Sequence, residues 1–182
     1  VTIQFGHNDQ PGKADAVEPE TGFAANLRRY VTEARAAGAI PILVTPLTRR
    51  NFVDGKLVDT LGPYAEAARK VAAEMNAPLV DLYARSTAAV IAMGPVEAAT
   101  MSATPPNEQE LAMARAGTSS TASRNPPAER RDPPPPGQAQ FAAPSRAFDN
   151  THLGEKGSDV FSKLVVDELA RVLPELRGVL VP

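Results

Sequence analysis

Length and composition predict one globular unit with an irregular stretch, and the charge argues against a nucleic-acid partner. The chain has 182 residues, and one domain over 1–182 is expected because domains usually hold roughly 100 to 200 residues. Its 18 prolines are too many for a compact fold throughout, and its net charge of -2 lacks the basic excess of nucleic-acid binders. No apolar run approaches the roughly 20 residues of a membrane span, so no membrane segment is expected.

The first half of the chain alternates short apolar runs with amphipathic segments. Strands are predicted over 1–5, 40–45 and 79–82, where apolar residues run without helical spacing. Helices are predicted over 23–38 and 63–76, where apolar residues recur every three or four positions. This order of strand and helix predicts an α/β fold with a parallel sheet and right-handed crossovers.

A stretch rich in Ala, Pro, Ser and Thr interrupts this pattern after Gly94. Because it lacks periodic apolar residues, 99–145 is predicted to be a disordered insertion. Its proline run at 133–136 also suits an SH3-type ligand, and a frameshifted stretch is a further alternative. A closing amphipathic helix is predicted from Ser158 to the residue before Pro174.

Polar residues cluster just after the predicted strands and before the last helix. Ligands of open parallel sheets bind outside the carboxyl ends of the strands, so these positions are candidates for a site. The first strand is followed by Gly-His-Asn-Asp at 6–9, and the second by Pro46 to Arg50. Asp149 lies three residues before His152, a spacing that on a turn places a carboxylate beside an imidazole.

These segments resemble the SGNH hydrolases, and among them the rhamnogalacturonan acetylesterases and their relatives. The match rests on Phe-Gly-His-Asn-Asp at 5–9, Thr-Pro-Leu-Thr-Arg-Arg at 45–50, Asp-Asn-Thr-His at 149–152 and the closing helix. The resemblance implies a flavodoxin-like three-layer sandwich. It also implies that His152 is the catalytic base, that Asp149 orients it, and that Asn8 contributes to the oxyanion hole.

The family's nucleophile block is not found in the chain. SGNH hydrolases carry a Gly-Asp-Ser block and a second block with an oxyanion-hole glycine, both of which are expected upstream of Val1. Ser86, Ser145 and Ser158 lie in no such context. The sheet is therefore expected to be truncated at its N-terminal side, and the chain is expected to be inactive alone.

The resemblance implies a carbohydrate O-acetylesterase that acts on an acetylated polysaccharide or oligosaccharide, without a cofactor. Such an enzyme is expected to be secreted or periplasmic. Arg49 and Arg50 could bind the uronate carboxylates of a pectic substrate, because guanidinium groups suit planar carboxylates. The plainer interpretation is a pair of solvated surface arginines. With two histidines and no cysteine, a metal site has few ligands to use.

Other interpretations remain open for the same residues. His152 and Asp149 could merely start and cap a helix, and Asp9 is expected to be a structural turn residue. The whole chain could be a non-catalytic carbohydrate-binding or scaffold protein with a degenerate hydrolase fold. A nucleotide-binding α/β module is a third alternative, but no glycine-rich phosphate loop follows a strand.

Overall fold

The computed structural model describes residues 1–120 and 148–180. Within that part of the chain, three short parallel strands are combined with five α-helices and a small hairpin. In chain order the elements are β1 (Thr2–Gln4), a π-helical turn (Pro19–Phe23), α1 (Ala24–Ala36), β2 (Ile42–Val44), β3 (Phe52–Val53), β4 (Lys56–Leu57), α2 (Gly62–Glu74), β5 (Leu79–Val80), α3 (Leu82–Ala99), α4 (Glu108–Arg115), α5 (Glu155–Val172) and a 3-10 turn (Pro174–Leu176).

The main sheet has the strand order β1-β2-β5, and both pairs are parallel. The register pairs Ile3 with Leu43, and Val44 with Val80. Parallel neighbours need a crossover, and α1 and α2 supply the two crossovers. The predicted α/β fold with a parallel sheet is therefore confirmed.

Helices cover both faces of the sheet. Leu43 faces a buried cluster that contains Leu27 and Val31 of α1 and Val71 of α2. The residues beside Leu43 in β2 point the other way, because side chains alternate along a strand. The second cluster joins the sheet to α5 and includes Ile42, Val44, Val80, Val165 and Leu169. The chain thus forms the three layers of the predicted sandwich.

The predicted helix ends also agree with the structure. Gly38 follows α1 with a φ of 75°, and Asn76 follows α2 with a φ of 47°. Both residues adopt the left-handed conformation that closes a helix, for which glycine and asparagine are the preferred residues. The Ala39 amide donates to Ala34 O at 2.9 Å, and the Ala77 amide to Ala72 O at 2.9 Å.

The third strand and the predicted insertion differ from expectation. Leu82 begins α3 instead of extending the strand, because the Asp81 carboxylate accepts the Ala84 amide and caps the helix. The helix α3 bends at Gly94, and α4 follows it. The prediction of disorder at 99–145 is therefore wrong for 99–120, and its remainder lies outside the described residues.

Small side chains explain this error. Ala98, Met101 and Ala114 are at most 2% exposed, so the segment is anchored in the core although alanines form no visible apolar stripe. Met101 and Ala98 pack with Phe161 of α5. No helix in the described ranges 1–120 and 148–180 is long and apolar enough to span a membrane.

The hairpin β3–β4 was also missed. Asp54 and Gly55 form its turn, and both have positive φ, of 50° and 75°. An Asp-Gly pair in this conformation is typical of two-residue hairpin turns, so the sequence carried a usable signal. The Ser119 amide donates to Phe52 O at 2.9 Å, which attaches the segment after α4 to the hairpin.

Candidate functional site

Asp149 and His152 form a hydrogen-bonded turn immediately before α5. Asp149 Oδ1 accepts the amide of Thr151 at 2.7 Å and the amide of His152 at 2.6 Å. An aspartate commonly closes its own turn in this way. The other oxygen, Oδ2, lies 2.7 Å from His152 Nδ1. One carboxylate therefore both shapes the turn and contacts the imidazole, as the three-residue spacing predicts.

The contact with Asp149 determines which nitrogen of the ring points a proton toward the carboxylate. Burial by itself raises the pKa of Asp149, but hydrogen bonds from the His152 amide and imidazole and from the Thr151 amide outweigh it and lower the pKa. An ionised carboxylate can only accept, so Nδ1 carries a proton. The His152 side chain is 70% exposed. Among the described residues Nε2 has no hydrogen-bond partner, which leaves it free to accept a proton.

Arg50 is buried beneath the turn and cannot meet a substrate. The residue is 1% exposed, and its Nη2 donates to His152 O at 2.8 Å. Burial lowers the pKa of Arg50 to about 10, although the Asp149 charge opposes this, so the guanidinium stays charged at neutral pH. For Arg50, both the uronate ligand and the solvated surface arginine are wrong predictions, because the side chain is buried and its two terminal nitrogens donate to backbone carbonyls.

A short segment after α3 pairs with the other side of the turn. The Ala103 amide donates to His152 O at 3.2 Å, and the Gly154 amide donates to Met101 O at 2.9 Å. Ser102 forms an antiparallel bridge with Leu153, and its hydroxyl donates to Asp149 O. These supports could not be predicted from the sequence. The only local signal is the Asn-Glu-Gln-Glu run at 107–110, a capping box that marks the start of α4.

Asn8 lies in the loop that leaves β1. The Gly6 amide donates to Asp9 Oδ2 at 2.9 Å, and the Tyr64 hydroxyl donates to Asp9 O at 2.8 Å. Asp9 thus holds the loop, in agreement with the structural role expected for it. Asn8 is exposed and makes no hydrogen bond to any described residue. Its side-chain amide is free to donate to a ligand.

Arg49 connects the two blocks that the sequence singles out. Its Nη2 donates to His7 O at 3.3 Å, and its Nε donates to Thr151 Oγ1 at 3.2 Å. Asn8 and His152 are each one residue away from an end of this bridge, so the two blocks meet at the same edge of the sheet. Arg49 is half-buried and engaged, so the solvated surface pair is also wrong for Arg49. A contact with substrate stays a prediction for this residue.

His7 shares this environment. Burial, followed by the charge of Arg49, lowers the pKa of His7 from its ordinary value of 6.5. The neutral ring is therefore favoured beside the Arg49 guanidinium. In 1–120 and 148–180, no group of three His, Asp or Glu side chains could hold a metal ion.

Two buried serines of the described chain have structural roles. Ser86 is fully buried, and its Oγ accepts the Thr48 amide at 3.1 Å. Ser102 is buried with its hydroxyl bonded to a carbonyl. Ser145 lies outside the described residues. Within 1–120 and 148–180, no serine hydroxyl is hydrogen-bonded to His152.

The model of the GDSL-like lipase/acylhydrolase family matches residues 1–160. The rhamnogalacturonan acetylesterase RhgT of Bacillus subtilis (strain 168) is 39% identical over 98 residues, which are 53% of this chain and 41% of that protein. The probable rhamnogalacturonan acetylesterase YesY of the same strain is 36% identical over 88 residues, 47% of this chain and 41% of its own length. The chain thus matches less than half the length of these relatives.

A solved structure agrees with the fold. The crystal structure of protein YXIM from Bacillus subtilis superimposes with a TM-score of 0.58 at 22% identity, over 97% of this chain and 37% of that one. At this identity the similarity shows the fold alone. It confirms the α/β sandwich independently of the sequence motifs.

Proposed function

We propose that this chain, which belongs to the GDSL-like lipase/acylhydrolase family, carries the acid-base part of a serine-type carboxylic ester hydrolase. His152 is the general base, Asp149 orients it, and Asn8 donates to the oxyanion. The observation that carries the proposal is the 2.7 Å contact between Asp149 Oδ2 and His152 Nδ1, made by an imidazole that is largely exposed. A histidine that served only as a helix-start residue would not require a carboxylate hydrogen-bonded to its imidazole ring.

The reaction follows from the free nitrogen of His152. Nε2 takes the proton of a serine hydroxyl while the serine oxygen attacks the ester carbonyl, and the negative charge collects on the carbonyl oxygen. The Asn8 amide donates to that oxygen, and Asp149 stabilises the imidazolium. The imidazolium then gives its proton to the departing alcohol oxygen. A water molecule, activated by Nε2, cleaves the acyl-serine ester and releases the acid.

The proposed nucleophile belongs to a segment outside this sequence. Two observations support this. No serine hydroxyl in the described ranges is hydrogen-bonded to His152, and the chain matches only 41% of the length of each curated relative. The 182-residue chain is therefore expected to lack covalent catalysis by itself, since removal of a nucleophile leaves a triad with only residual activity.

The proposed substrate is an acetylated polysaccharide or oligosaccharide of the pectin type, and the reaction would release acetate from rhamnogalacturonan. This rests on the two relatives, which are named as rhamnogalacturonan acetylesterases. The exposed positions of Asn8 and His152 suit a long substrate, because a polymer must reach the catalytic atoms from the surface. The mechanism needs no cofactor.

Labelling with a fluorophosphonate tests the proposal, because this reagent phosphonylates an activated serine and releases fluoride. The 182-residue chain and the longer gene product are incubated with the reagent and weighed by mass spectrometry. We expect an adduct on the longer protein only, and its loss in the His152→Ala variant. Lys156→Ala is the matched control, because Lys156 is an exposed residue one turn further along whose ammonium pairs with Glu97 at 2.6 Å.

Two other outcomes would contradict the proposal. An adduct on a serine of the 182-residue chain would show that the nucleophile has been placed wrongly. A longer protein that neither reacts nor releases acetate from acetylated pectin, yet binds it, would be the non-catalytic carbohydrate-binding protein.

A further inference from the structure

Arg50 donates a hydrogen bond to every carbonyl of the Asp149–His152 turn. Its backbone amide donates to Asn150 O at 2.9 Å, and its Nη1 donates to Thr151 O at 3.3 Å. Its Nη2 donates to His152 O at 2.8 Å and lies 3.5 Å from Asp149 O. A single residue, more than ninety positions away in sequence, thus contacts four consecutive carbonyls.

We propose that Arg50 is a positioning residue of the catalytic pair, one that orients Asp149 and His152 through the peptide planes of their turn. The inference rests on the proposed function of that pair. Arg50 itself touches neither the imidazole ring nor the exposed surface where a substrate would bind. Its role is therefore separate from the substrate contact discussed for Arg49.

The geometry gives the mechanism of positioning. Each peptide unit is planar, with its C=O and N–H pointing in opposite directions, so a carbonyl that is held in place also orients the amide of the next residue. Arg50 holds the carbonyls of Asn150 and Thr151, which belong to the same peptide units as the amides of Thr151 and His152. Those two amides both donate to Asp149 Oδ1. With Oδ1 engaged in this way, Oδ2 is directed to His152 Nδ1.

The side-chain chemistry explains why arginine occupies this position. A guanidinium is flat and carries five N–H donors in a fixed fork, whereas a lysine ammonium is a compact point charge. Arg50 uses both terminal nitrogens, while its Nε has no partner among the described residues. No carboxylate oxygen contacts the guanidinium in the described part of the chain. Burial of a cation that has no carboxylate partner costs folding free energy. We attribute the presence of this buried charge to its role in orienting the turn.

The test compares Arg50→Lys and Arg50→Gln with the unaltered, serine-containing protein. We expect kcat on an aryl acetate to fall roughly 100-fold with KM unchanged, because a displacement of about 1 Å can reduce the rate by that factor. Amide hydrogen exchange at Thr151 and His152 should accelerate about tenfold or more, because their acceptor is no longer held in place. Guanidinium ion at low millimolar concentration should partly restore kcat in Arg50→Ala. Arg28→Lys, which alters an exposed arginine paired with Glu74 at 2.7 Å, is the control.

The readouts separate the possible failures. Arg50→Lys with unchanged kcat and a lowered melting temperature would overturn the proposal, because Arg50 would then only support the fold. A raised KM with unchanged kcat would also overturn it, because it would indicate contact with substrate. If the unaltered protein shows no esterase activity, the proposed function fails. The exchange rates then still decide whether Arg50 orients the turn.

Discussion

Replacing Asp149 with asparagine should abolish the proposed base function of His152 while keeping the turn. The asparagine Oδ1 can still accept the amides of Thr151 and His152, which now lie 2.7 and 2.6 Å from the carboxylate. The second oxygen becomes an NH₂ group that faces His152 Nδ1 and can only donate. The ring must then present the Nδ1 lone pair to this group and carry its proton on Nε2. A ring in that tautomer cannot accept the proton of a serine.

The substitution should reduce kcat far more than it reduces the free energy of unfolding. Hydrogen bonds to a charged group contribute roughly 1.5–3 kcal/mol and neutral ones roughly 0.5–1.5. The Asp149 side chain is 27% exposed, so solvent screens the difference and we expect a loss of about 2 kcal/mol in the free energy of unfolding. The wrong tautomer in a serine triad reduces kcat about 10⁴-fold. That reduction equals about 5 kcal/mol of transition-state stabilisation.

Aryl acetate kinetics and urea unfolding of the serine-containing protein measure both effects. Asp159→Asn is the matched control, since Asp159 is an exposed aspartate of α5. A kcat within about tenfold of the unaltered protein, in an Asp149→Asn variant that unfolds cooperatively, would refute the assignment of His152 as the base. If unfolding stability instead collapsed, the amide contacts of Oδ1 would not survive the change, and the structural argument for the turn would be wrong.

Three further substitutions test other parts of the site. Asn8→Ala should lower kcat about 10²- to 10³-fold by removing an oxyanion donor, and should leave unfolding in urea unchanged because Asn8 is exposed. The pKa of His7 is lower in the folded protein than the ordinary 6.5, so its contribution to stability is complete above pH 6.5 and is lost as pH falls through the folded value. His7→Gln should therefore lose less stability than the unaltered protein between about pH 7 and pH 5 in urea titrations; equal losses would contradict the burial effect. Gly154→Ala would place its Cβ 2.6 Å from Ser102 O, a backbone atom. It should cost about 1–3 kcal/mol in urea unfolding, and a neutral result would show that the 101–103 segment is not fixed.

The elements that could be predicted from sequence are those whose own residues carry a regular apolar pattern. The helices α1, α2 and α5 carry apolar residues at helical spacing, and β2 is buried on both faces, so their signals are local. The order of these elements then determines the parallel sheet. The failures lie in α3 and α4, where short side chains such as Ala98 and Ala114 make the buried contacts. Alanine gives a weak periodic signal although it packs as tightly as a larger residue.

The missed segment has a consequence for the site. Met101, Ser102 and Ala103 were expected to be disordered, yet they pair with the residues that follow Asp149. A local pattern could not predict this, because each contact joins backbone groups about fifty residues apart. The Asp149–His152 pair could be predicted because a spacing of three residues brings both groups together on one turn.

Arg49 and Arg50 are adjacent residues that connect two parts of the site, the loops that follow the strands and the turn that precedes α5. Parallel strands end at a common edge, which accounts for the loops after β1 and β2. The Asp149–His152 turn lies immediately before α5 and needs its own attachment to these loops. Arg49 joins the Asn8 loop to that turn through His7 O and Thr151 Oγ1, while Arg50 holds the turn from beneath. The distance between Asn8, the proposed oxyanion donor, and His152, the proposed base, therefore depends on two guanidinium groups in the loop between β2 and β3. Because Arg49 spans both blocks and Arg50 contacts only one, loss of Arg49 should shift Asn8 relative to His152, whereas loss of Arg50 should disturb the Asp149–His152 turn alone.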